Sequence, residues 1–174
     1  MQLSLETITS AHNRIKPYII NTPVESNEEI NQLVGADIYF KCENMQNSGS
    51  FKFRGASNAV LSLNDKEADC GVITVSSGNH GTALSLAAKN RGINATVILP
   101  SNATPYKRNL IDEFGANIIE CEPTVESREK TLLIQQKKTK ATIIHPYNDY
   151  QIMSGQGTIS LEIIEEIPEL DIIM

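Results

Sequence analysis

One lysine lies between two phenylalanines in the stretch Asn47-Ser48-Gly49-Ser50-Phe51-Lys52-Phe53-Arg54-Gly55-Ala56. A strand-like segment precedes this stretch and a helix-like segment ending at Leu63 follows it, so we expect Lys52 at a strand-to-helix junction. Desolvation by Phe51 and Phe53 would lower the pKa of the lysine, and a neutral amine is a nucleophile. Such an amine can form a Schiff base with an aldehyde cofactor, above all pyridoxal 5'-phosphate (PLP). From this stretch alone, the alternative is a solvated lysine beside a turn.

A second polar loop, Ser76 to Gly81, follows the apolar run 72–75 and precedes a helix-like run that begins at Ala83. The start of a helix offers free backbone N–H groups and the positive end of the helix dipole, which together favour a bound carboxylate. The serine and asparagine side chains of the loop add further donors. The alternative is that Ser77 and Asn79 only cap the helix.

Together, and in this order, the two stretches resemble the fold-type-II PLP enzymes, and among these the serine/threonine dehydratase and serine racemase family. The resemblance extends along essentially the whole chain. It includes the further motifs Asn21-Thr22-Pro23-Val24, Phe114-Gly115-Ala116, Cys121-Glu122-Pro123, Glu126-Ser127-Arg128-Glu129, His145-Pro146 and Gly155-Gln156-Gly157-Thr158. Cysteine synthases, a sister family, resemble Ser-Val-Lys-Asp-Arg paired with Ser-Gly-Asn-Thr, so Phe51, Phe53 and His80 disfavour them.

The spacing of apolar residues predicts an α/β fold in which strands and helices alternate from Gly71 onward. The expected strands are 72–75, 95–99, 118–121 and 141–144, and the expected helices are 83–89, 106–114 and 125–136. Alternation at this spacing implies an open parallel sheet with right-handed crossovers and flanking helices. Before this block we expect a helix over 5–15, a short helix that begins with a capping box at Ser26 and closes at Gly35, and a strand over 37–42.

The resemblance implies how these elements are organised, in a fold similar to the tryptophan synthase β subunit. Residues 71–148 would form the small mobile domain, and residues 1–70 and 149–174 would form parts of the large PLP-binding domain. Residues 150–166 would be the helix that returns to the large domain, and a strand would open at Asp171. In the family, a run of glycines that grips the PLP phosphate follows that strand. The sequence has no such run, so we expect a truncated, incomplete large domain.

Composition and charge limit the classes of function. The chain has 174 residues, of which 40% are hydrophobic, with a net charge of −6 and a pI near 5.1. An acidic chain is a poor partner for nucleic acid, and no apolar run approaches the length of a membrane span. Cys42, Cys70 and Cys121 are predicted to be buried free thiols rather than a disulfide or metal site. We therefore expect a cytoplasmic protein without a signal peptide.

The resemblance also assigns roles to individual residues. Lys52 would bind PLP covalently and then act as general base on the substrate Cα proton. Phe51 and Asn79 would contact the cofactor ring and its 3-hydroxyl. The substrate carboxylate would be held by Ser76, Gly78, Asn79 and His80.

Three of the assigned residues have alternatives. Ser77 stands where racemase-like members have a serine and dehydratase-like members often an alanine, so it favours a second proton carrier for racemisation; it is also an ordinary loop residue. His80 could instead be a capping histidine in a core. Arg128 stands where racemase-like members bring an arginine towards the substrate, or it is a solvated charge on a helix face.

Two functions follow from these expectations. The first is a homodimeric PLP-dependent ammonia-lyase that converts L-threonine or L-serine to a 2-oxo acid and ammonia, with or without serine racemase activity. The second is a noncatalytic fragment that at most binds a partner subunit. A divalent metal would bind only in the later part of the family sequence, and ATP is disfavoured because the stretch Glu25-Ser26-Asn27-Glu28-Glu29 would repel a triphosphate.

Overall fold

The computed structural model describes residues 2–174, which form short strands alternating with α-helices. The strands are β1 (Val24–Ser26), β2 (Tyr39–Lys41), β3 (Val72–Val75), β4 (Ala95–Pro100), β5 (Asn117–Cys121) and β6 (Thr142–Ile143). The helices are α1 (Leu5–Ile15), α2 (Glu28–Val34), α3 (Lys52–Leu61), α4 (Asp65–Cys70), α5 (Asn79–Arg91), α6 (Pro105–Glu113), α7 (Val125–Thr139) and α8 (Tyr150–Glu166). No helix in this range is both long and apolar enough to cross a membrane.

Four strands form a parallel sheet in the order β5-β4-β3-β6. Successive residues of a strand point to opposite faces, so each face carries its own core. On one face, Ile73 and Ile98 pack with Leu132 of α7. On the other, Val97 belongs to the larger core that includes Leu84 of α5. The predicted α/β fold with a parallel sheet and flanking helices is confirmed.

Helix α3 packs against both α5 and α8, and two glycines let α3 and α8 approach closely. A Cβ atom at Gly155 would lie 2.6 Å from the Arg54 carbonyl oxygen, and one at Gly55 would lie 2.9 Å from the Ile152 carbonyl oxygen. These distances are shorter than any ordinary carbon–oxygen contact. The first turn of α3, which carries Lys52, is therefore held in a fixed place relative to α8.

Strands β1 and β2 form a separate antiparallel pair, with Val24 opposite Lys41. Helix α2 connects them. It begins one residue later than the predicted capping box, because the Asn27 side chain accepts the hydrogen bond from the Ile30 amide while Ser26 belongs to β1. It ends as predicted at Gly35, whose φ of 74° suits a residue without a side chain.

Several other predictions differ from the structure. Helix α5 begins at Asn79 rather than Ala83, and α4 was not predicted. Two 3-10 turns, Glu43–Met45 and Asn47–Gly49, separate β2 from α3, so Lys52 does not follow a strand directly. Residues 171–174 form no strand.

The three cysteines are free, as predicted, but their burial differs from the prediction. Cys121 is buried, Cys42 is half-buried and Cys70 is exposed. Cys70 is the last residue of α4, a short polar helix without a buried residue, which explains its exposure.

Candidate active site

Lys52 is the first residue of α3 and enters the helix from a left-handed turn at Ser48 and Gly49, where φ is 65° and 75°. Its Nζ donates a hydrogen bond to the Pro146 carbonyl oxygen at 3.0 Å. The Phe51 ring centroid lies 4.9 Å from Nζ, whereas Phe53 is fully buried in the core. Only Phe51 of the expected pair therefore shields the amine. Burial lowers the pKa of Lys52 from its ordinary value, in the direction that favours a nucleophile.

The loop after β3 is organised by Ser76. Its Oγ accepts hydrogen bonds from the amides of Gly78 at 3.2 Å and Gly81 at 3.0 Å. The N-cap of α5 is Gly78, and the side chain that accepts from the first turn belongs to Ser76, so the alternative that Ser77 and Asn79 serve as caps is wrong. The Ser77 side chain is exposed. Because the Ser76 hydroxyl accepts from the amides of Gly78 and Gly81, the helix can begin at Asn79, four residues before the predicted start.

Asn79, the first residue of α5, is exposed and contacts Lys107, a residue that the sequence analysis did not assign to the site. Its Oδ1 accepts a hydrogen bond from Nζ of Lys107, on α6, at 2.6 Å. Lys107 follows β4 as Asn79 follows β3, and β3 pairs with β4 in parallel. The carboxyl ends of parallel strands lie at one edge of a sheet, and this rule would have pointed to Lys107.

His80 is buried, with 3% of its surface exposed. Its Nε2 lies 3.3 Å from the Ile144 carbonyl oxygen, and its buried Nδ1 has no partner among residues 2–174. A carbonyl only accepts, so Nε2 carries the proton and Nδ1 has a lone pair. Burial is the main cause that lowers the pKa of His80 from 6.5 to about 4, and the positive charge of Lys52 adds to it. This geometry favours a neutral core histidine, while contact with the substrate carboxylate stays a prediction.

The segment 144–146 brings the two motifs together. Lys52 donates to the carbonyl of Pro146, and His80 contacts the carbonyl of Ile144 two residues earlier. This segment joins β6 to α8, so the lysine stretch and the polar loop meet at the carboxyl end of the sheet. In open α/β sheets this edge is where ligands bind.

Arg128 lies apart from this group, on α7 beyond β5. Burial raises the pKa of the Cys121 thiol and the charge of Arg128 opposes that rise, which places the guanidinium near the end of β5. Helix α7 packs on one face of the sheet, whereas α3 and α5 belong to the core on the other face, so the structure does not bring Arg128 to Lys52. Its half-buried side chain leaves Nε buried and without a partner in the described range, unlike a solvated surface charge.

A buried charge cluster beneath α3 was also missed from the sequence. Arg54, fully buried, binds Glu43 of the first 3-10 turn and Glu162 of α8, at 2.7 Å from each. Lys41 of β2 also binds Glu162, at 2.9 Å. The cluster ties the start of α3 to α8 and β2. No spacing pattern relates residues 108 positions apart in sequence, so only the fold reveals it.

Residues 15–174 match the sequence family described as pyridoxal-phosphate dependent enzyme. The chain belongs to this family. It is 49% identical over 168 residues to a serine racemase from Arabidopsis thaliana, a match that covers 97% of this chain and 51% of that protein. It is 45% identical over 169 residues to a beta-hydroxyaspartate dehydratase from Paracoccus denitrificans, covering 97% of this chain and 54% of the relative.

The solved structures agree with this assignment. The crystal structure of serine racemase from Dictyostelium discoideum matches with a TM-score of 0.93 and 46% identity, covering 97% of this chain and 55% of that chain. The chain spans about half the length of the relatives that it matches. The expected resemblance to serine racemases and dehydratases, limited to their N-terminal portion, is confirmed.

Enzymes of this family use PLP, and the residues of the candidate site fit the ring end of that cofactor. Lys52 offers a partly desolvated amine beside the ring of Phe51, and Asn79 offers an exposed carboxamide at the same sheet edge. The sequence has no two adjacent glycines, so no residue of this chain is assigned to the phosphate.

The neutral, buried state of His80 predicts a stability that depends on pH. In the unfolded chain the imidazole binds a proton near pH 6.5, whereas in the folded chain it does so only near pH 4. Stability is therefore fully present above pH 6.5 and falls as the pH is lowered through this window, by about 3 kcal/mol from this group.

Urea unfolding of the parent and of His80→Gln at pH 7 and pH 4.5 measures this effect. A glutamine amide can still donate to the Ile144 carbonyl but takes up no proton. We expect His80→Gln to lose less stability than the parent on acidification, since other titrating groups are common to both. Equal losses would contradict the buried neutral imidazole.

Proposed function

We propose that this chain carries the lysine half of the active site of a PLP-dependent enzyme acting on a small β-hydroxy α-amino acid. L-Serine and L-threonine are the proposed substrates, and a 2-oxo acid and ammonia are the proposed products. The observation that carries this proposal is the Lys52 amine, partly desolvated and bound to the Pro146 carbonyl in the same segment that contacts His80. The relatives named as serine racemase and beta-hydroxyaspartate dehydratase support the same substrate class.

Lys52 would hold the cofactor through its Nζ and then accept the proton from the substrate Cα as general base. When bound, PLP supplies an electron sink for the electron pair left on that carbon. The lowered pKa of Lys52 suits a group that must be neutral to accept a proton near neutral pH. The carbonyl of Pro146, which accepts a hydrogen bond from Nζ in the free chain, would also hold the ammonium form after the transfer.

The start of α5 is the proposed seat of the substrate carboxylate. The first amides of a helix have no intrahelical acceptor, and the helix dipole adds a positive potential there. Because the Oγ of Ser76 already accepts two amide hydrogen bonds, its own proton is directed outward and can be donated to a carboxylate. Gly78 lets the carboxylate approach the backbone without a side chain in the way.

Ser77 is the proposed second proton carrier. Racemisation needs a proton donor on the face of Cα opposite to Lys52, and the Ser77 hydroxyl is exposed in the same loop.

Arg128 would approach the substrate only if the 71–148 region moved relative to α3 and α8. We further propose a homodimer, as the family resemblance implies, and a cytoplasmic location, which suits the free cysteines. Nucleic acid and ATP are disfavoured as ligands because the chain carries a net charge of −6 and acidic residues over 25–29.

A second candidate function is a noncatalytic subunit that binds a partner chain. The β1–α2–β2 segment exposes several apolar side chains, which is typical of protein interfaces. Leu33 is 87% exposed and Val34 57%, beside Tyr39 and Phe40 at 44% each. This function needs no chemistry at Lys52.

Release of 2-oxo acid distinguishes the two functions. With PLP present, we expect the purified chain to release 2-oxo acid from L-serine and L-threonine, and Lys66→Ala, an exposed lysine on α4, to behave as the parent. Ser77→Ala is expected to lower D-serine formation about a hundred-fold or more while elimination continues, the size of one lost acid-base group. A chain that attaches PLP at Lys52 yet forms neither 2-oxo acid nor D-serine would support the noncatalytic subunit.

A further inference from the structure

Lys107 makes one hydrogen bond that determines how the Asn79 side chain is oriented. The lysine lies on α6, 28 residues after Asn79, and its half-buried amine is 2.6 Å from Oδ1. An ammonium has three donors and no acceptor, so it can bind only the oxygen of a carboxamide. The NH₂ group of Asn79 is therefore the end left for a ligand, and the ligand atom that it meets must be an acceptor.

The charge of Lys107 is also uncompensated. The ion pairs formed within residues 2–174 join Lys41, Arg54 and Arg108 to glutamates, and none involves Lys107. Nζ also lies over the ring of Tyr106, at 5.6 Å from its centroid. The N-terminus of α5, which begins at Asn79, adds a second positive potential at the same point. An acceptor placed against Asn79 is thus favoured in its anionic form.

We propose that Lys107 is a positioning residue for the cofactor: it fixes the Asn79 carboxamide with its NH₂ group towards the 3-oxygen of PLP and favours the deprotonated form of that oxygen. This inference rests on the proposed function, because it requires PLP at Lys52. It assigns Lys107 no contact with the substrate and no proton transfer.

Titration of a pyridoxyl group fixed at Lys52 tests the proposal without any assay of turnover. The chain is mixed with PLP, reduced with borohydride and digested, and mass spectrometry shows whether Lys52 carries the pyridoxyl group. In the intact reduced chain, absorbance against pH then gives the titration midpoint of the 3-hydroxyl. We expect the midpoint in Lys107→Met to lie higher than in the parent by roughly one pH unit, the effect of one screened charge at this range.

Three variants separate charge from orientation. Lys107→Arg keeps a donor-only cation and should restore the parent midpoint. The glutamine of Lys107→Gln can still donate to Oδ1 but has no charge, so the titration midpoint of the 3-hydroxyl should rise as in Lys107→Met. Lys107→Gln also replaces Lys107→Met in this test if the methionine variant does not fold. Lys89→Met removes a lysine charge from an exposed side chain at the far end of α5 and should leave the midpoint unchanged.

The outcomes distinguish this inference from the proposed function. If the parent carries no pyridoxyl group at Lys52, the proposed function and the role of Lys107 are both wrong. If Lys52 is labelled but Lys107→Met, Lys107→Gln and Lys89→Met all share the parent midpoint, only the role of Lys107 is wrong.

Discussion

Replacing Lys52 with alanine is expected to abolish specific attachment of PLP to this chain. After borohydride reduction, the parent should carry its pyridoxyl group mainly on Lys52, whereas Lys52→Ala should show only the scattered labelling of surface lysines. Alanine has no amine, so position 52 can carry no pyridoxyl group in the variant, and the labelling that remains should be that of the surface lysines alone.

The physical basis of this expectation is the environment of the amine. Burial lowers the pKa of Lys52, and the Phe51 ring covers one side of Nζ. The Pro146 carbonyl holds the amine at the edge of the sheet where the polar loop begins. Exposed lysines such as Lys66 lack this combination.

Two controls test whether the labelling of Lys52 by PLP is specific. Lys66→Ala removes one reactive amine from the surface and should leave labelling of Lys52 unchanged. Labelling is also compared at pH 7 and at pH 9. The excess of pyridoxyl label on Lys52 over the surface lysines should be smaller at pH 9, because the neutral fraction of the surface amines increases more between these pH values. Equal labelling of Lys52 and Lys66 at both pH values would show that Lys52 is an ordinary surface lysine.

The sequence predicts those parts of the site that are formed by residues adjacent in the chain. Strand β3 was predicted over its observed bounds, since four β-branched residues between Gly71 and a polar loop favour a strand. Lys52 and the loop at 76–80 were identified from local motifs, and in the structure the segment 144–146 contacts both Lys52 and His80. Local patterns decide these features because their hydrogen bonds and packing depend on near neighbours in sequence.

The parts that the sequence did not predict depend on pairs of distant residues. Lys107 reaches Asn79 across two helices, and Arg54 reaches Glu162 across most of the chain. The start of α5 was placed too late because a serine hydroxyl, rather than a backbone pattern, captures the first amides. Such contacts follow from the relative placement of elements, which apolar periodicity does not specify.

Removal of the Arg54 guanidinium is expected to destabilise the fold more than any other single change considered. Arg54 is fully buried and binds the carboxylates of Glu43 and Glu162. In Arg54→Met both carboxylates would remain in place without their main partner, and a buried charge without a partner costs several kcal/mol. We expect the free energy of unfolding to fall by about 3–5 kcal/mol.

The pH dependence of this loss identifies its cause. Burial opposes ionisation of Glu162, but hydrogen bonds from Arg54 and Lys41 hold its pKa below its ordinary value. A carboxylate with a lowered pKa stabilises the fold at neutral pH and loses that contribution as the pH falls. In Arg54→Met the same carboxylate can take up a proton at higher pH, so the difference from the parent should be largest at neutral pH and shrink on acidification.

Arg108→Met is the matched control in urea unfolding. Arg108 binds Glu120, but both side chains are about half exposed, at 44% and 55%. Exposed pairs of this kind contribute at most about 1 kcal/mol, so the two variants should differ clearly in midpoint. A loss in Arg54→Met no larger than in Arg108→Met would mean that the buried cluster contributes nothing beyond a surface pair.

The buried cluster also bears on the chemistry, because Arg54 lies on the helix that begins with Lys52. Glu162 belongs to α8, and the close crossing at Gly155 keeps α3 and α8 in register. Loosening that contact should displace the first turn of α3 and with it the Lys52–Pro146 hydrogen bond. Arg54→Met is therefore expected to weaken the preference of PLP for Lys52 even at temperatures where the variant stays folded, and an undiminished preference would separate the cluster from the site.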